Sequence, residues 1–302
     1  MTEPSVGPCD AKALCPGPDP EPHGPTRFTV PAGAVDTHAH VIGLPPDWPL
    51  VPNRSYTPPA APREAYLAML DATGMTYGVL VQVSVHGTDN RLMLQTLRAD
   101  PQRLRGVAVA ALGRPDSEYR ALKEAGVTGL RVNVLFGGGV SMDDLESYGD
   151  LCREYGWHLQ FLLDARDLPQ LAPRLARLPV PAVVDHMGHF PAAEGVGHPG
   201  FQALLGLVRD GAWVKLSGAY RLSNAAPAYA EATPLARALL EAAPGRCVWG
   251  SDWPHVANWG AMPNVGDLLD LLADWAPDEA VRHRILVENP ARLYGFPAVK
   301  GG

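Results

Sequence analysis

A chain of 302 residues that is 46% hydrophobic and 19% charged can bury the core of one large globular domain. No uninterrupted run of about 18 apolar residues occurs, which argues against a membrane span. A net charge of −7 with no long basic run argues against nucleic acid as a partner, because phosphate binding needs clustered Lys and Arg.

In chain order, residues 1–27 read as a flexible Pro-rich arm and residues 28–302 as a single domain. The stretch Met1 to Thr26 lacks a basic start followed by an apolar run, so it does not read as a secretory signal. The four cysteines (Cys9, Cys15, Cys152 and Cys247) form no CxxC pair, which fits reduced thiols in a cytoplasmic protein. Beyond the arm, Ala34–His38 is a short strand-like run. It is followed by a long Pro-rich loop, Gly43 to Pro62, which Trp48 and Tyr56 mark as packed.

From there apolar runs alternate with stretches of helical period. Helix Arg63–Ala72 precedes strand Tyr77–Ser84, and helix Asn90–Ala99 precedes strand Leu104–Ala110. Helix Ser117–Glu124, strand Gly129–Val134, helix Asp143–Tyr155 and strand His158–Leu163 follow. Then come helix Leu168–Leu178, strand Ala182–His186, helix Gly200–Arg209 and strand Trp213–Ser217. Helix Tyr229–Ala243, strand Cys247–Ser251, helix Val265–Trp275 and a closing helix Pro277–Glu288 complete the chain.

Strict alternation implies a parallel sheet with helical crossovers, and eight such units predict an α/β fold, the (β/α)8 TIM barrel. An open doubly wound sheet would place a glycine-rich phosphate loop after the first strand. The chain instead has Asp36-Thr37-His38-Ala39-His40 there. Gly137-Gly138-Gly139 lacks phosphate-loop spacing and reads as a mobile loop.

In a barrel the carboxyl ends of all strands form one mouth, where active sites are built. His38 and His40 end the first strand, His186 the sixth, and Asp252 follows the eighth. Strand alternation sets His38 and His40 on one side, about 7 Å apart along the backbone. Residues distant in sequence therefore converge. Each histidine has a plainer reading as a hydrogen-bonded core group; their shared position at strand ends favours a site.

The segments Val35-Asp36-Thr37-His38-Ala39-His40, Val184-Asp185-His186-Met187-Gly188, Trp249-Gly250-Ser251-Asp252-Trp253-Pro254-His255 and Asn289-Pro290-Ala291-Arg292-Leu293-Tyr294 resemble the amidohydrolase superfamily. More narrowly the chain resembles the lactone-hydrolysing branch that holds 2-pyrone-4,6-dicarboxylate lactonase and 4-sulfomuconolactone hydrolase. Further matching segments are Arg54-Ser55-Tyr56-Thr57-Pro58, His86-Gly87-Thr88-Asp89-Asn90, Gly129-Leu130-Arg131-Val132-Asn133 and Val214-Lys215-Leu216-Ser217 through Arg221. The similarity runs from about residue 28 to 296.

The resemblance implies hydrolysis of a small carboxylate-bearing or sulfonated lactone, with a lactone isomerase or a metal-dependent decarboxylase of an aromatic acid as alternatives on the same scaffold. Asp252 is the expected general base, and His38, His40 and His186 are expected to polarise the carbonyl. The fourth strand carries Arg131 and Asn133 in place of the bridging Lys or Glu of binuclear relatives, which argues against a binuclear centre. Two arrangements stay open. One has no metal; the other has a single divalent ion, zinc or manganese, held by His38, His40, His186 and Asp252.

Arg131 and Arg221 are the expected grips for an anionic substrate, because a guanidinium binds carboxylate bidentately. Arg54, Tyr56, His86, Thr88, Asn90, His189 and His255 are further candidates for substrate contact. The pyrone-dicarboxylate enzymes carry extra substrate-binding groups where this chain has Thr128, Leu162 and His189. A monocarboxylate, sulfonated or sugar-acid lactone is therefore the better expectation than a dicarboxylate. A homo-oligomer is left open.

Overall fold

The computed structural model describes residues 14–297. The eight expected strands are all present: β1 Val35–Ala39, β2 Tyr77–Val81, β3 Leu104–Ala108, β4 Val127–Asn133, β5 His158–Leu162, β6 Ala182–Val184, β7 Trp213–Leu216 and β8 Cys247–Trp249. They pair in sequence order, every pair parallel, and form the predicted (β/α)8 barrel. The strands are buried almost throughout, which is why they read as apolar runs rather than alternating ones.

Helices cover the outside: α1 Arg63–Thr73, α2 Arg91–Ala99, α3 Asp116–Glu124, α4 Leu145–Tyr155, α5 Leu168–Leu175, α6 Pro199–Arg209, α7 Ala219–Leu222, α8 Thr233–Ala242, α9 Val265–Trp275, α10 Glu279–His283 and α11 Asn289–Tyr294. In α9 the buried Val265, Leu268, Leu269, Leu272 and Trp275 fall three and four residues apart, so one stripe meets the barrel wall. The closing helix extends further than expected. A π-helical turn at Arg284–Glu288 links α10 to α11, where Asn289 donates to the carbonyls of Pro244 and Cys247.

The main apolar core lies between strands and helices, and two smaller clusters gather around Val35, Val79, Val107 and Tyr294 and around Val183, Trp213 and Val248. Polar groups from different strands meet inside the barrel above them. Asp185 Oδ2 accepts from Arg131 Nε and Gln160 Nε2 at 3.1 Å each, and Lys215 Nζ lies 3.5 Å from Asp185 Oδ1. Buried charges persist because they are mutually paired.

The seam between β1 and β8 closes at its upper end. Asp252 N donates to His38 O, and His40 N to Trp253 O, both at 2.8 Å. Asp36 brackets the same seam, accepting from Ser251 N at 2.8 Å, Ser251 Oγ at 2.7 Å and Tyr66 Oη at 3.2 Å.

Residues 1–13 of the expected arm lie outside the described residues. From residue 14 onward the arm makes contacts with the barrel. Cys15 is buried and its N–H donates to Thr57 O at 2.8 Å, while Thr26 and Arg27 bind the carboxylates of Asp270 and Asp274. These carboxylates on α9 accept from donors that remain in the Pro-rich segment.

Candidate active site

The seam sets the central geometry. His38 Nε2, His40 Nε2 and His186 Nε2 each lie 3.8 Å from Asp252 Oδ1. All four side chains are almost fully buried. Asp252 has φ 61° and His186 φ 50°, left-handed conformations that L residues adopt only when their surroundings impose them. They turn both side chains inward at the mouth.

The same turn sets Asp185. Strict alternation would place it on the face opposite His186, yet both lie inside the barrel. β6 ends at Val184, so alternation no longer applies beyond it. Asp185 Oδ1 sits 3.2 Å from His38 Nδ1. Lys215, which sequence reasoning left without a role, donates to Thr37 O at 2.8 Å and lies 3.2 Å from His38 Nδ1. A lysine inside a wholly apolar strand was the available signal, since such a group is buried only when paired.

The outer oxygen of Asp252 is held separately. Oδ2 accepts from Tyr220 Oη at 2.6 Å and from Arg221 Nε at 2.5 Å. Burial pushes the Asp252 carboxyl upward, but the Arg221 guanidinium outweighs it and holds it well below the usual carboxylate range. Burial drives His40 down to about 4 and His186 to about 3, so both rings are neutral at physiological pH. Lys215 is lowered by burial to about 8.

His40 Nδ1 lies 2.7 Å from the Val81 carbonyl, which can only accept. The ring proton is therefore on Nδ1, and Nε2 turns a lone pair toward Asp252 Oδ1. With that tautomer His40 has no Nε2 proton to donate toward the site. His186 Nδ1 lies 2.8 Å from Ser217 Oγ, a hydroxyl able to donate or accept. His38 Nε2 and Asp252 Oδ1 are buried without a hydrogen-bond partner. An electron-rich set of this kind, with its outer nitrogens already oriented, fits a single cation. Three imidazoles and one carboxylate suit zinc or manganese.

A cavity of about 20 Å³ adjoins this cluster, lined by polar Tyr56, Ser84, Arg131 and Arg221 and by apolar Phe136, Leu162 and Val256. That space holds about one water. The cover is the segment after β4. Gly137 N donates to Ser55 Oγ at 3.0 Å, and Phe136 meets the Tyr56 ring edge-on at 5.9 Å. Gly138 has φ 92°, and a β-carbon there would collide with the Ser84 carbonyl. The three glycines allow close docking of this cover over the mouth.

The remaining candidates divide. Tyr56 reaches the cavity and hydrogen-bonds Ser84 Oγ at 3.1 Å, its phenol raised to about 12 by burial. Arg131 lines the cavity while its Nε and Nη2 pair with Asp185. Arg221 lines it while paired with Asp252, so each guanidinium has a structural partner as well as a face on the site. His255 Nδ1 lies 3.3 Å from Tyr220 Oη, one step behind Asp252. His189 is half-buried, brought down to about 4 by burial and the nearby Arg221 charge, but it does not line the cavity.

Arg54, His86, Thr88 and Asn90 are not brought to the cavity. Arg54 Nε donates to Thr57 Oγ1, and His86 Nδ1 lies 3.2 Å from the Pro49 carbonyl, so both organise the first loop. Asn90 bonds Val109 through both N–H and C=O, and Thr88 offers its carbonyl to Asn90. Thr128 starts β4 at the opposite end of the barrel, so its lack of charge bears nothing on recognition at the mouth. Leu162 does line the cavity.

A parallel barrel with three imidazoles and a carboxylate gathered at the carboxyl ends of its strands is the framework of an enzyme. The chain belongs to the amidohydrolase family, whose family model matches residues 35–296. It is 41% identical over 279 residues to 4-sulfomuconolactone hydrolase of Rhizobium radiobacter, covering 90% of this chain and 93% of that one. It is 36% identical to the 2-pyrone-4,6-dicarboxylate hydrolase of Comamonas testosteroni (89% and 92% covered) and 32% identical to D-galactarolactone isomerase of Agrobacterium fabrum (89% and 94% covered).

Proposed function

We propose that this protein hydrolyses a small lactone carrying one carboxylate or sulfonate. The observation that carries the reading is the division of labour on Asp252: Oδ2 bound by Arg221 and Tyr220, Oδ1 directed at three imidazoles. Arg131, Arg221 and Tyr56 offer the anion donors beside an apolar wall of Phe136, Leu162 and Val256.

Ring opening needs a nucleophilic water, a polarised carbonyl and a proton for the leaving oxygen. Asp252 Oδ1 takes the water's proton. A carboxylate held this low is a weak resting base, so transfer follows formation of the bond to carbonyl carbon, as the attacking oxygen becomes acidic. The same carboxyl then returns the proton to the departing oxygen. Arg221 keeps the base ionised, and Lys215 with Asp185 fixes His38 from behind. A divalent ion would be held by His38, His40, His186 and Asp252, and would supply Lewis-acid polarisation of the carbonyl. The closed cover excludes bulk water, so substrate enters only when the segment bearing Phe136 parts from Tyr56.

The test is a panel of sulfonated, monocarboxylate and sugar-acid lactones, read by acid release with a pH indicator alongside metal analysis of the purified protein. Hydrolysis that Asp252→Asn abolishes without unfolding supports the reading. Turnover that survives this change overturns the role of Asp252. The likeness to D-galactarolactone isomerase favours lactone isomerisation as the second reading. Conversion of one lactone to another without acid release would establish it.

A further inference from the structure

The barrel end opposite the catalytic mouth holds a groove of about 840 Å³, within the range of small-molecule sites. Arg105, Lys123, Arg246 and Arg292 line it, and among the described residues no carboxylate does. The cations turn to carbonyls and rings instead. Arg105 donates to the Pro101 and Leu104 carbonyls, Lys123 to the Tyr155 carbonyl and Arg292 to the Gly245 carbonyl. A fifth lining cation, Arg153, is already paired with Asp150 at 3.0 Å. In a chain of net charge −7 this local excess is not a matter of composition.

The groove also has aromatic walls. Arg246 and Arg292 lie 5.0 and 4.8 Å from the Trp213 ring, and Tyr155 stacks on Trp157 with centroids 4.8 Å apart. Deeper in, polar groups wait for partners. His158 lines the groove and is 3% exposed, yet neither ring nitrogen has a hydrogen-bond partner. Trp157 Nε1 is likewise buried and unpartnered. Each such group costs about 1–3 kcal/mol when left unsatisfied, so a ligand that supplies partners is favoured. Gly129 leaves the space that the His158 ring fills, since a β-carbon there would strike the imidazole.

We propose that this groove is a second binding site, for an organic polycarboxylate. The guanidinium and ammonium groups bind its carboxylates, and the buried imidazole takes its inward polar edge. The proposal does not depend on which lactone reacts at the other end.

Calorimetric titration of the full chain with benzene-1,3,5-tricarboxylate tests it. Saturable binding is expected, at least tenfold weaker in Arg246→Glu and unchanged in Asp252→Asn. Circular dichroism checks the fold of Arg246→Glu; should that variant unfold, Lys123→Glu, at an exposed side chain, carries the same expectation. Absence of saturable binding into the millimolar range overturns the proposal. So does loss of binding in Asp252→Asn, which would place the probe at the catalytic mouth. Tighter binding of a single-stranded oligonucleotide than of the aromatic anion would make the surface a nucleic-acid groove and likewise overturn it.

Discussion

Arg221 Nε reaches Asp252 Oδ2 at 2.5 Å, so a residue expected to grip substrate also governs the carboxylate that handles water. Its charge is the largest of the influences that lower Asp252. Arg221→Gln therefore raises the Asp252 pKa and moves the acidic limb of the kcat/KM profile to higher pH. We expect kcat to fall by about a hundredfold. A rise in KM alone, with the limb unmoved, would show that Arg221 serves only the substrate.

Lys215 stands behind His38 rather than at the mouth. Lys215→Met leaves Asp185 with Arg131 as its remaining partner cation within 4.0 Å, at a cost of about 3–5 kcal/mol for a broken buried pair. Urea unfolding measures that loss. In the folded fraction kcat should fall while KM holds, because the residue positions an imidazole without touching substrate. A changed KM with normal kcat would contradict this.

The cover after β4 depends on backbone contact at Gly138. Gly138→Val forces the segment away from Ser84 and strains a left-handed position, at about 1–3 kcal/mol. We expect kcat/KM to drop about tenfold and Tyr56 to become accessible to nitration. Unchanged kinetics would mean that closure is irrelevant to turnover.

His158 is lowered by burial to about 3. Below pH about 6.5 the unfolded chain binds a proton that the native imidazole refuses. The stabilisation is thus complete above that pH and is lost as pH falls toward the folded value, by about 1.4 kcal/mol per pH unit. Asp36, lifted by burial to about 6, acts in the opposite sense between 3.8 and that value, but equally in both proteins compared. His158→Gln should show a shallower loss of urea midpoint on acidification than the parent chain. Parallel curves would refute the assignment.

The eight strands were legible because strands buried on both faces become short apolar runs. The cluster was legible because His38, His40, His186 and Asp252 all stand at strand ends. The place of Asp185 was not legible, because strand alternation holds only while the strand lasts and β6 stops one residue earlier. Ser84, Phe136, Tyr220 and Val256 went unnoticed because loop residues acquire a role only through folding back, which no periodicity encodes. The terminal Asn289–Tyr294 segment resembled a family signature without revealing its task. That task is architectural: Asn289 ties down the start of β8 and Tyr294 plugs the barrel.

Tyr294 gives the barrel an axis. Its ring lies 5.9 Å from the Lys215 ammonium, which reaches His38, whose far nitrogen faces Asp252. The two openings are thus separated by a single file of contacting side chains rather than by a slab of hydrocarbon. A substitution that displaces Tyr294 would therefore disturb the side chains behind His38, so rate measurements should accompany any redesign of this plug.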